Sequence, residues 1–535
     1  MAKEQTYGGA LEISRERQML KRSLTLLPLF GIIYFTVSGG TFGIESLFSY
    51  SGAGMALLLI CIIPFVYSLP NIFMVRELQS MMPVEGGYYH WTKQGFGKRV
   101  GPFAGFLTGW MNWVMSLVDV AIYPVLAVTY LSFWVPQLTD GGWGLPGWAV
   151  QWLAAIAIIL IIQLLQMRGV RLAGLTSIWI GVILIIPLVI MSVLGFYNWG
   201  VHGSGFSMTF LPQDTSVWGA FSVGLFVVMW NYMGWELPSS AGDEIVKPRR
   251  TYPLAMLLVL IASIATYAIP TVAALYGGAG EDNKVMLWGL EEEDGIGQVL
   301  LDGGMTQEQM DAAGVDPTST EGWFLPDIAT AVAETTTHPG SGFAGFLGHF
   351  MTAAAVLSMV GLLVGNSVSA TRIPFAVAED GMAPKWLVRV HRGWGTPWVA
   401  ILVTGFFFAV FSVNAFASLV VLDVLLNSLT LLLEFAALWM LRRTSPEIPR
   451  SKIPGGLVGG IIVTLLPAAV IIFSIVSQVK DVGWTSIWYA AIAIILGAIA
   501  YFPFKYYLKD KRNVPDVDPY TSDEDRAEMA STAEV

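Results

Sequence analysis

Long apolar runs recur along the chain and constrain its fold more than any other feature of the sequence. Crossing the hydrocarbon core of a bilayer takes roughly 20 helical residues. Because lipid cannot satisfy backbone polar groups, a spanning segment must be a helix or belong to a closed barrel. The runs are continuous, without the alternation of barrel strands, which favours helices. About twelve spans are predicted: 24–50, 54–75, 102–134, 149–167, 173–196, 217–242, 252–276, 343–371, 397–413, 415–440, 456–477 and 483–507.

Composition supports a protein embedded in the lipid bilayer. Hydrophobic residues make up 55% of the chain and charged residues 13%, about half the charged fraction of soluble proteins. The formal net charge of −10 argues against a nucleic-acid partner. The one cysteine, Cys61, excludes a disulfide framework and a cysteine-based metal site. The predicted fold class is an all-α polytopic membrane protein.

Basic residues predict the orientation. They cluster in alternate connections between spans, and the other connections carry almost none. Because cytoplasmic loops are enriched in Lys and Arg, we expect both termini, 1–23 and 508–535, in the cytoplasm, and the chain in the cell (plasma) membrane. The clusters include Arg15 to Arg22, Arg76 to Arg99, Arg168 and Arg171, Lys247 to Arg250, Arg372 to Arg392, Arg442 to Lys452, and Lys505 to Arg512.

The connection 277–342 is an acidic insertion, which the topology places outside the cell. It carries ten Asp or Glu residues against the single Lys284 between positions 281 and 316. One interpretation is a funnel that concentrates cations. The other is a solvated insertion, since charge runs are usually solvated faces. The residues after Arg512 form a second acidic segment.

Two predicted spans are interrupted near their middles. Residues 37–45 (VSGGTFGIE) break the first span, and residues 230–238 (WNYMGWELP) break the sixth. Unwound backbone at membrane depth is tolerated where it lines a cavity, and its free N–H and C=O groups can then bind ions. Both breaks contain Gly-x-Glu, as two inverted five-helix repeats would place them. A kink or a close helix crossing is the alternative.

Ionisable residues inside spans are further candidates, because burying a charge in lipid is costly. Asp119 lies near the centre of the third span, without a basic residue in the neighbouring predicted spans. Its expected partner is a ligand cation or a proton, and capping by hydroxyl or backbone groups is the alternative. Asp423 and Glu434 in the tenth span are weaker candidates, since either could lie near a span end or in an accessory cavity.

Several segments resemble the amino acid–polyamine–organocation superfamily, in particular its polyamine-uptake and amino-acid transporter branch. They are 33–45, 83–91, 119–126, 229–234, 241–248, 369–381 and 395–397. The resemblance implies a LeuT-type fold: a core at 24–440 with repeats at 24–196 and 217–440, then two peripheral helices at 456–507. The fifth-span lysine of some proton-coupled relatives is absent from 173–196, and the acidic insertion also departs from the usual pattern.

The resemblance also implies roles for particular residues. In relatives the first-span glycine motif binds a substrate carboxylate, an aromatic residue closes over the substrate, sixth-span carbonyls accept an amine, and a sixth-span carboxylate responds to protons. The candidate substrate-binding residues are Ser38, Gly39, Gly40, Thr41, Gly43, Asp119, Trp230, Asn231, Met233 and Gly234. The candidates for proton coupling are Glu236 and Glu45.

These observations predict a secondary active transporter, or permease, that moves amino acids or polyamines by alternating access. Proton coupling is the leading prediction, and an exchanger without net proton movement is the alternative. A receptor or a channel is the alternative from another class. The sequence has no Walker loop, nucleophile elbow, dinucleotide fingerprint or His-rich metal spacing. We therefore expect no enzymatic activity, no cofactor and no metal.

Overall fold

The computed structural model describes residues 22–203, 216–279, 287–289, 296–302, 305–312, 317, 323–413, 416–446, 448, 450–481 and 484–511. The helices are α1 (Leu26–Val37), α2 (Glu45–Ser51), α3 (Ala53–Ile63), α4 (Leu69–Met81), α5 (Gly87–Gly95), α6 (Gly97–Ser132), α7 (Gln137–Asp140), α8 (Gly147–Arg168), α9 (Val170–His202), α10 (Val217–Trp230), α11 (Pro248–Ala274), α12 (Gly297–Asp302), α13 (Gln307–Ala312), α14 (Leu325–Thr336), α15 (Gly342–Glu379), α16 (Trp398–Phe411), α17 (Phe416–Thr444), α18 (Gly456–Asp481) and α19 (Thr485–Phe504).

Shorter elements complete the chain. Segments Pro64–Ser68, Leu275–Ala279 and Lys505–Asp510 are π-helical, and Leu237–Ser240, Gly242–Glu244 and Lys385–Val388 are 3₁₀-helical. Strands β1 (Gly141–Gly142) and β2 (Leu145–Pro146) form an antiparallel hairpin in which Gly141 lies opposite Pro146.

The helices confirm an all-α polytopic membrane protein. Nine helices of the described chain are long and apolar enough to cross a membrane, and α1, α10 and α16 are shorter apolar helices. Together they occupy all twelve predicted span positions. The two interrupted spans are split as the sequence predicts. However, the sixth span has no α-helix after its break, and short 3₁₀ turns that contain Pro238 follow instead.

Small residues let the central helices approach closely. Helix α15 packs along α1, α6 and α9. A Cβ atom added to Gly361 would lie 2.4 Å from the ring of Phe35, and one added to Gly365 would lie 2.5 Å from the Phe35 carbonyl oxygen. Close helix packing through small residues is typical of membrane interiors. This contact fixes α15 against the end of α1, immediately before the first break.

Helices α18 and α19 lie at the periphery of the bundle. Helix α18 packs against α4 and α10, and α19 packs against α6 and α17. Their outer faces expose large apolar side chains such as Leu465, Ile472, Ile499 and Phe502, which suit a lipid environment. The division into a core and two peripheral helices remains a prediction consistent with this packing.

The described parts of the acidic insertion pack onto the bundle. Residues Leu287, Ile296, Leu300, Met305 and Met310 form a small apolar cluster against Trp323. Trp288 stacks on Phe48 of α2, with ring centroids 4.1 Å apart. Most of the acidic side chains that motivate the funnel interpretation lie outside the described residues, as do the segments 1–21 and 512–535.

The basic clusters meet at one end of the bundle, which we call the basic end. Arg249 donates to the Ser80 carbonyl at 2.8 Å, and Arg442 pairs with Glu77 at 2.6 Å. Arg450 donates to the Ser445 carbonyl at 2.8 Å. The Arg249 and Arg442 contacts join connections that the alternation of charge assigns to the same side of the membrane.

Candidate functional site

The first break is a stretch of extended and left-handed backbone between α1 and α2. Helix α1 ends at Val37, and Gly40 and Gly43 have φ values of +77° and +85°. Glycine adopts this region without the steric cost that a side chain imposes. Glu45 stabilises the restart of the helix, because one carboxylate oxygen accepts from the Gly43 amide at 2.6 Å and the other from the Tyr130 hydroxyl at 2.9 Å.

Side-chain hydrogen bonds stabilise the backbone of the first break and leave the Thr41 amide without an acceptor. The Ser38 hydroxyl accepts from the Gly40 amide at 3.2 Å, and the Thr41 hydroxyl donates to the Thr266 carbonyl at 2.5 Å. The Ser358 hydroxyl donates to the Gly39 carbonyl. Among the described residues, the Thr41 amide donates no hydrogen bond, whereas the Gly39 amide lies within hydrogen-bonding reach of the Tyr267 hydroxyl. An unpaired amide at the end of a broken helix is suited to binding an anionic group.

The second break leaves a carbonyl group available. Helix α10 ends at Trp230, and Gly234 has a φ of +89°. Asn231 is fixed by the Tyr267 hydroxyl, which donates to its side-chain oxygen at 3.2 Å. The Met233 carbonyl accepts no hydrogen bond from the described part of the chain. A free carbonyl at this point can accept from an ammonium group.

The two breaks lie side by side. The Asn231 amide donates to the Gly43 carbonyl at 3.3 Å. A Cβ atom added to Gly43 would lie 3.5 Å from the Trp230 ring, and one added to Gly234 would lie 3.4 Å from the Thr36 carbonyl oxygen. Trp230 and Gly43 keep partial exposure, whereas most residues around them are buried. The structure therefore brings the first break into contact with the Trp230 ring of the second break.

Asp119 lies on α6 beside Trp230. The Tyr123 hydroxyl lies 2.7 and 2.8 Å from its two carboxylate oxygens, and the Trp230 indole N–H donates to it at 3.3 Å. The side chain is 4% exposed. Its donors are neutral, so hydroxyl and indole groups cap the carboxylate without a positive charge. Asp119 thus connects α6 to the second break.

Glu236 belongs to the second break, and its carboxyl group contacts α17. It is fully buried, and the Asn427 amide donates to one of its oxygens at 2.8 Å. The other oxygen has no hydrogen-bond partner within the described residues. Tyr67 in turn donates to the Asn427 side-chain oxygen at 3.3 Å. An unpaired buried carboxyl oxygen is costly unless the group is protonated.

Helix α17 carries two buried acids, which are the weaker candidates among the in-span acids of the sequence. Asp423 and Glu434 are both fully buried, and no oxygen of either side chain accepts a hydrogen bond from the described chain. The carboxyl groups of Asp119 and Asp423 lie within hydrogen-bonding reach of each other. Glu434 has Glu236 as its charged neighbour. Only their in-span position marked these residues in the sequence.

A buried ion-pair network closes the basic end. The Lys93 ammonium lies 2.7 Å from both carboxylate oxygens of Asp380, which also accepts from Tyr89 at 2.5 Å and Lys509 at 3.0 Å. Burial opposes ionisation of Asp380, but the two lysines outweigh it and hold the pKa of this carboxyl below its ordinary value.

A second buried pair lies nearby. Arg372 pairs with Glu244 at 2.9 Å, and both side chains are at most 1% exposed. Segments that resemble the superfamily supply Arg372, Glu244 and Asp380, yet sequence reasoning gave those residues no role. Their partners come from distant segments and become visible only in the folded chain.

No group of three or more His, Cys, Asp or Glu residues in the described chain could hold a metal ion.

Comparison with known proteins agrees with this architecture. Residues 24–499 match the family model described as amino acid permease. The chain is 28% identical to a probable polyamine transporter of Arabidopsis thaliana, over 92% of this chain and 86% of that protein. It is 27% identical to the polyamine transporter PUT1 of Oryza sativa subsp. japonica, over 93% of this chain and 82% of that protein. It is 25% identical to an uncharacterized transporter of Legionella pneumophila, over 76% and 80% respectively.

Proposed function

Because this chain belongs to the amino acid permease family, it is a multi-pass membrane transporter, and we propose that it carries amino acids or polyamines by alternating access. The observation that carries the proposal is the contact between the two broken helices. The first break has a free amide at Thr41, the second has a free carbonyl at Met233, and the buried Asp119 carboxylate accepts from Trp230 beside the second break. The relatives that the chain matches over most of their length include proteins named as polyamine transporters, which supports polyamines as the substrate.

We assign the substrate-binding groups as follows. The amides of the first break, around Gly39 and Thr41, bind a carboxylate when the substrate has one. The Met233 carbonyl accepts a substrate amine, and Trp230 covers the bound molecule. Asp119 accepts a further ammonium group. Ser38, Gly40 and Gly43 in the first break, with Asn231 and Gly234 in the second, shape the site rather than provide charge.

We propose that protons drive the transport. Glu236 is the first candidate, because its unpaired oxygen lies in a buried, low-dielectric position within the second break. Glu45 is the second candidate, but both of its oxygens accept hydrogen bonds that organise the restart of α2. Protonation of Glu236 would change its interaction with Asn427 and so bias the position of the second break.

The same proposal includes the orientation of the protein in the membrane. The basic end faces the cytoplasm, both termini lie there, and the protein resides in the cell membrane. The ion pairs at the basic end then close the cytoplasmic side in this conformation.

Uptake by purified protein in liposomes tests the function. Saturable accumulation of putrescine, or of an amino acid such as alanine, that requires an imposed proton gradient is the expected result. Accumulation that requires a counter-substrate inside the vesicles would identify an exchanger. Binding without flux would identify a receptor, and flux that does not saturate would identify a channel. Protein-free liposomes are the control for leakage.

A further inference from the structure

Asp423 is a buried acid without a positively charged partner in the described chain. It lies on α17 and is fully buried, and neither oxygen accepts a hydrogen bond of good geometry from the described residues. Its polar neighbours are the Asp119 carboxyl and the Trp230 indole; the indole N–H donates to Asp119 at 3.3 Å and also lies near Asp423. Two carboxyl groups from distant helices therefore meet beside the second break.

The pair has no positive partner within the described chain. The donors to Asp119 in the described chain are a tyrosine hydroxyl and an indole, and the next charged neighbour of Asp423 is another acid, Glu236. None of the ion pairs in the described residues includes Asp119 or Asp423; the lysines and arginines of those pairs belong to the basic end. Two adjacent buried carboxylates repel each other, so one must hold a proton or bind a cation.

An organic ammonium group matches these vacant acceptors. It carries a positive charge and up to three N–H donors, and the two oxygens of Asp423 provide unused acceptor positions. A hydrogen bond between charged partners in a buried site is also stronger than a neutral one. The partly exposed Trp230 links this position to the gap between the breaks.

We propose that Asp119 and Asp423 together form an ammonium subsite, and that this subsite selects substrates that carry a second ammonium group. The proposal rests on the transport function proposed above and deepens it. A diamine places one ammonium at the Met233 carbonyl and the other between the two carboxyl groups. A neutral-side-chain amino acid leaves the subsite to a proton, which keeps the pair from carrying two charges.

Glu434 offers a matched control on the same helix. It lies eleven residues after Asp423, which is three turns or about 16 Å along an α-helix. It is equally buried, and it also lacks a hydrogen-bond partner in the described chain. Its charged neighbour is Glu236 rather than Asp119. Removing its charge therefore tests the general effect of neutralising a buried acid of α17.

The test compares putrescine, butylamine and leucine as substrates or competitors in liposome uptake. Putrescine and butylamine share a four-carbon chain but differ by one ammonium group. Asp423→Asn should weaken the apparent affinity for putrescine by about 10- to 100-fold, the usual cost of one charge-assisted contact. Leucine should change by no more than about 3-fold, and Glu434→Gln should keep the wild-type ratio of putrescine to leucine affinity.

A double variant tests whether the two acids act together. Residues that share one interaction are not additive, so Asp119→Asn with Asp423→Asn should weaken putrescine by less than the product of the single effects. Asp423→Glu, which keeps the charge, should recover most of the putrescine preference over butylamine and would show that the site is folded.

Three results would overturn the subsite. They are unchanged putrescine affinity in Asp423→Asn, equal losses for putrescine and leucine, and strictly multiplicative effects in the double variant. Failure of the subsite can be distinguished from failure of the proposed transport function. Wild-type protein that transports leucine but shows no preference for putrescine over butylamine refutes the subsite alone, whereas wild-type protein that transports none of the three refutes the transport proposal.

Discussion

Replacing Asp380 with asparagine should open the basic end of the protein. The Lys93 ammonium contacts both Asp380 oxygens at 2.7 Å, and the side chains are 5% and 1% exposed. Removing one partner of a buried pair typically costs about 3–5 kcal/mol, because the other charge stays buried without compensation. If the pair forms only when the basic end is closed, the ratio of closed to open molecules should fall by roughly two to four powers of ten.

A single reporter cysteine can measure this shift. Cys61 is the only cysteine, so Cys61→Ser provides a background without thiols. Ser240 is fully buried at the basic end, where its hydroxyl donates to the Ser369 carbonyl at 3.3 Å and its carbonyl accepts from the Gly86 amide at 2.8 Å. In that background, Ser240→Cys should react slowly with a membrane-impermeant maleimide, and Asp380→Asn should accelerate the reaction.

Lys509 provides the graded control. It also contacts Asp380, at 3.0 Å, but its side chain is 14% exposed. Because Lys93 still pairs with Asp380 when Lys509 is removed, no buried carboxylate is left without a positive partner, and Lys509→Gln should accelerate labelling less than Asp380→Asn. If Asp380→Asn remains monodisperse in detergent and labels at the parent rate, the network does not hold the basic end closed and the reasoning is wrong.

The same reporter gives a pH dependence. The lysines depress the pKa of Asp380, so its stabilising contribution is complete above the ordinary aspartate pKa of about 3.9 and is lost only as the pH falls through the lower folded value. Between about pH 8 and 5, the ratio of the labelling rates of Asp380→Asn and the parent should therefore stay constant. A ratio that falls toward one near pH 5 would mean that Asp380 loses its charge in that range.

Three further variants test the site itself. Gly40→Leu should abolish uptake at normal expression, since residue 40 has a φ of +77° and a side chain there would fill the first break. The control Gly345→Leu should transport normally, because a Cβ atom at residue 345 meets nothing within 4 Å. Wild-type uptake by Gly40→Leu would contradict the proposed site. Glu236→Gln should flatten the dependence of uptake on external pH, because the amide can still accept from Asn427 but cannot bind a proton; an unchanged profile would move the proton site to Glu45. Asp119→Asn should weaken putrescine by about 10- to 100-fold and alanine much less, in paired uptake measurements at one pH, and equal losses would assign Asp119 a structural role.

Much of the site could be predicted from local sequence. The glycines at 40, 43 and 234 mark backbone that leaves helical geometry, and the structure gives each a positive φ. The local pattern does not predict which residues bind the Glu45 carboxylate. Its sequence position identifies a carboxylate beside a break, but the hydrogen bond from Tyr130, which belongs to α6, is a tertiary contact.

The contacts of the buried acids on α17 could not be predicted from the sequence. Asp423, Asn427 and Glu434 have the spacing of one helix face, and all three are fully buried. The sequence indicates that these residues share a face but not which neighbour that face contacts. Pairing with Asp119 or Glu236 depends on the rotation of α17 and on the path of the second break, which the packing of several helices sets together.

The sequence by itself determined the membrane class, the approximate spans, the alternation of basic connections and the positions of both breaks. Each of these properties depends on the composition of one continuous segment, because lipid imposes its requirement on every span separately. Only the tertiary structure decided that Asp119 meets Asp423, that Glu236 binds Asn427, and that Lys93 and Lys509 share Asp380. Such contacts join residues far apart in the chain, and their geometry follows from how whole helices pack rather than from any local pattern.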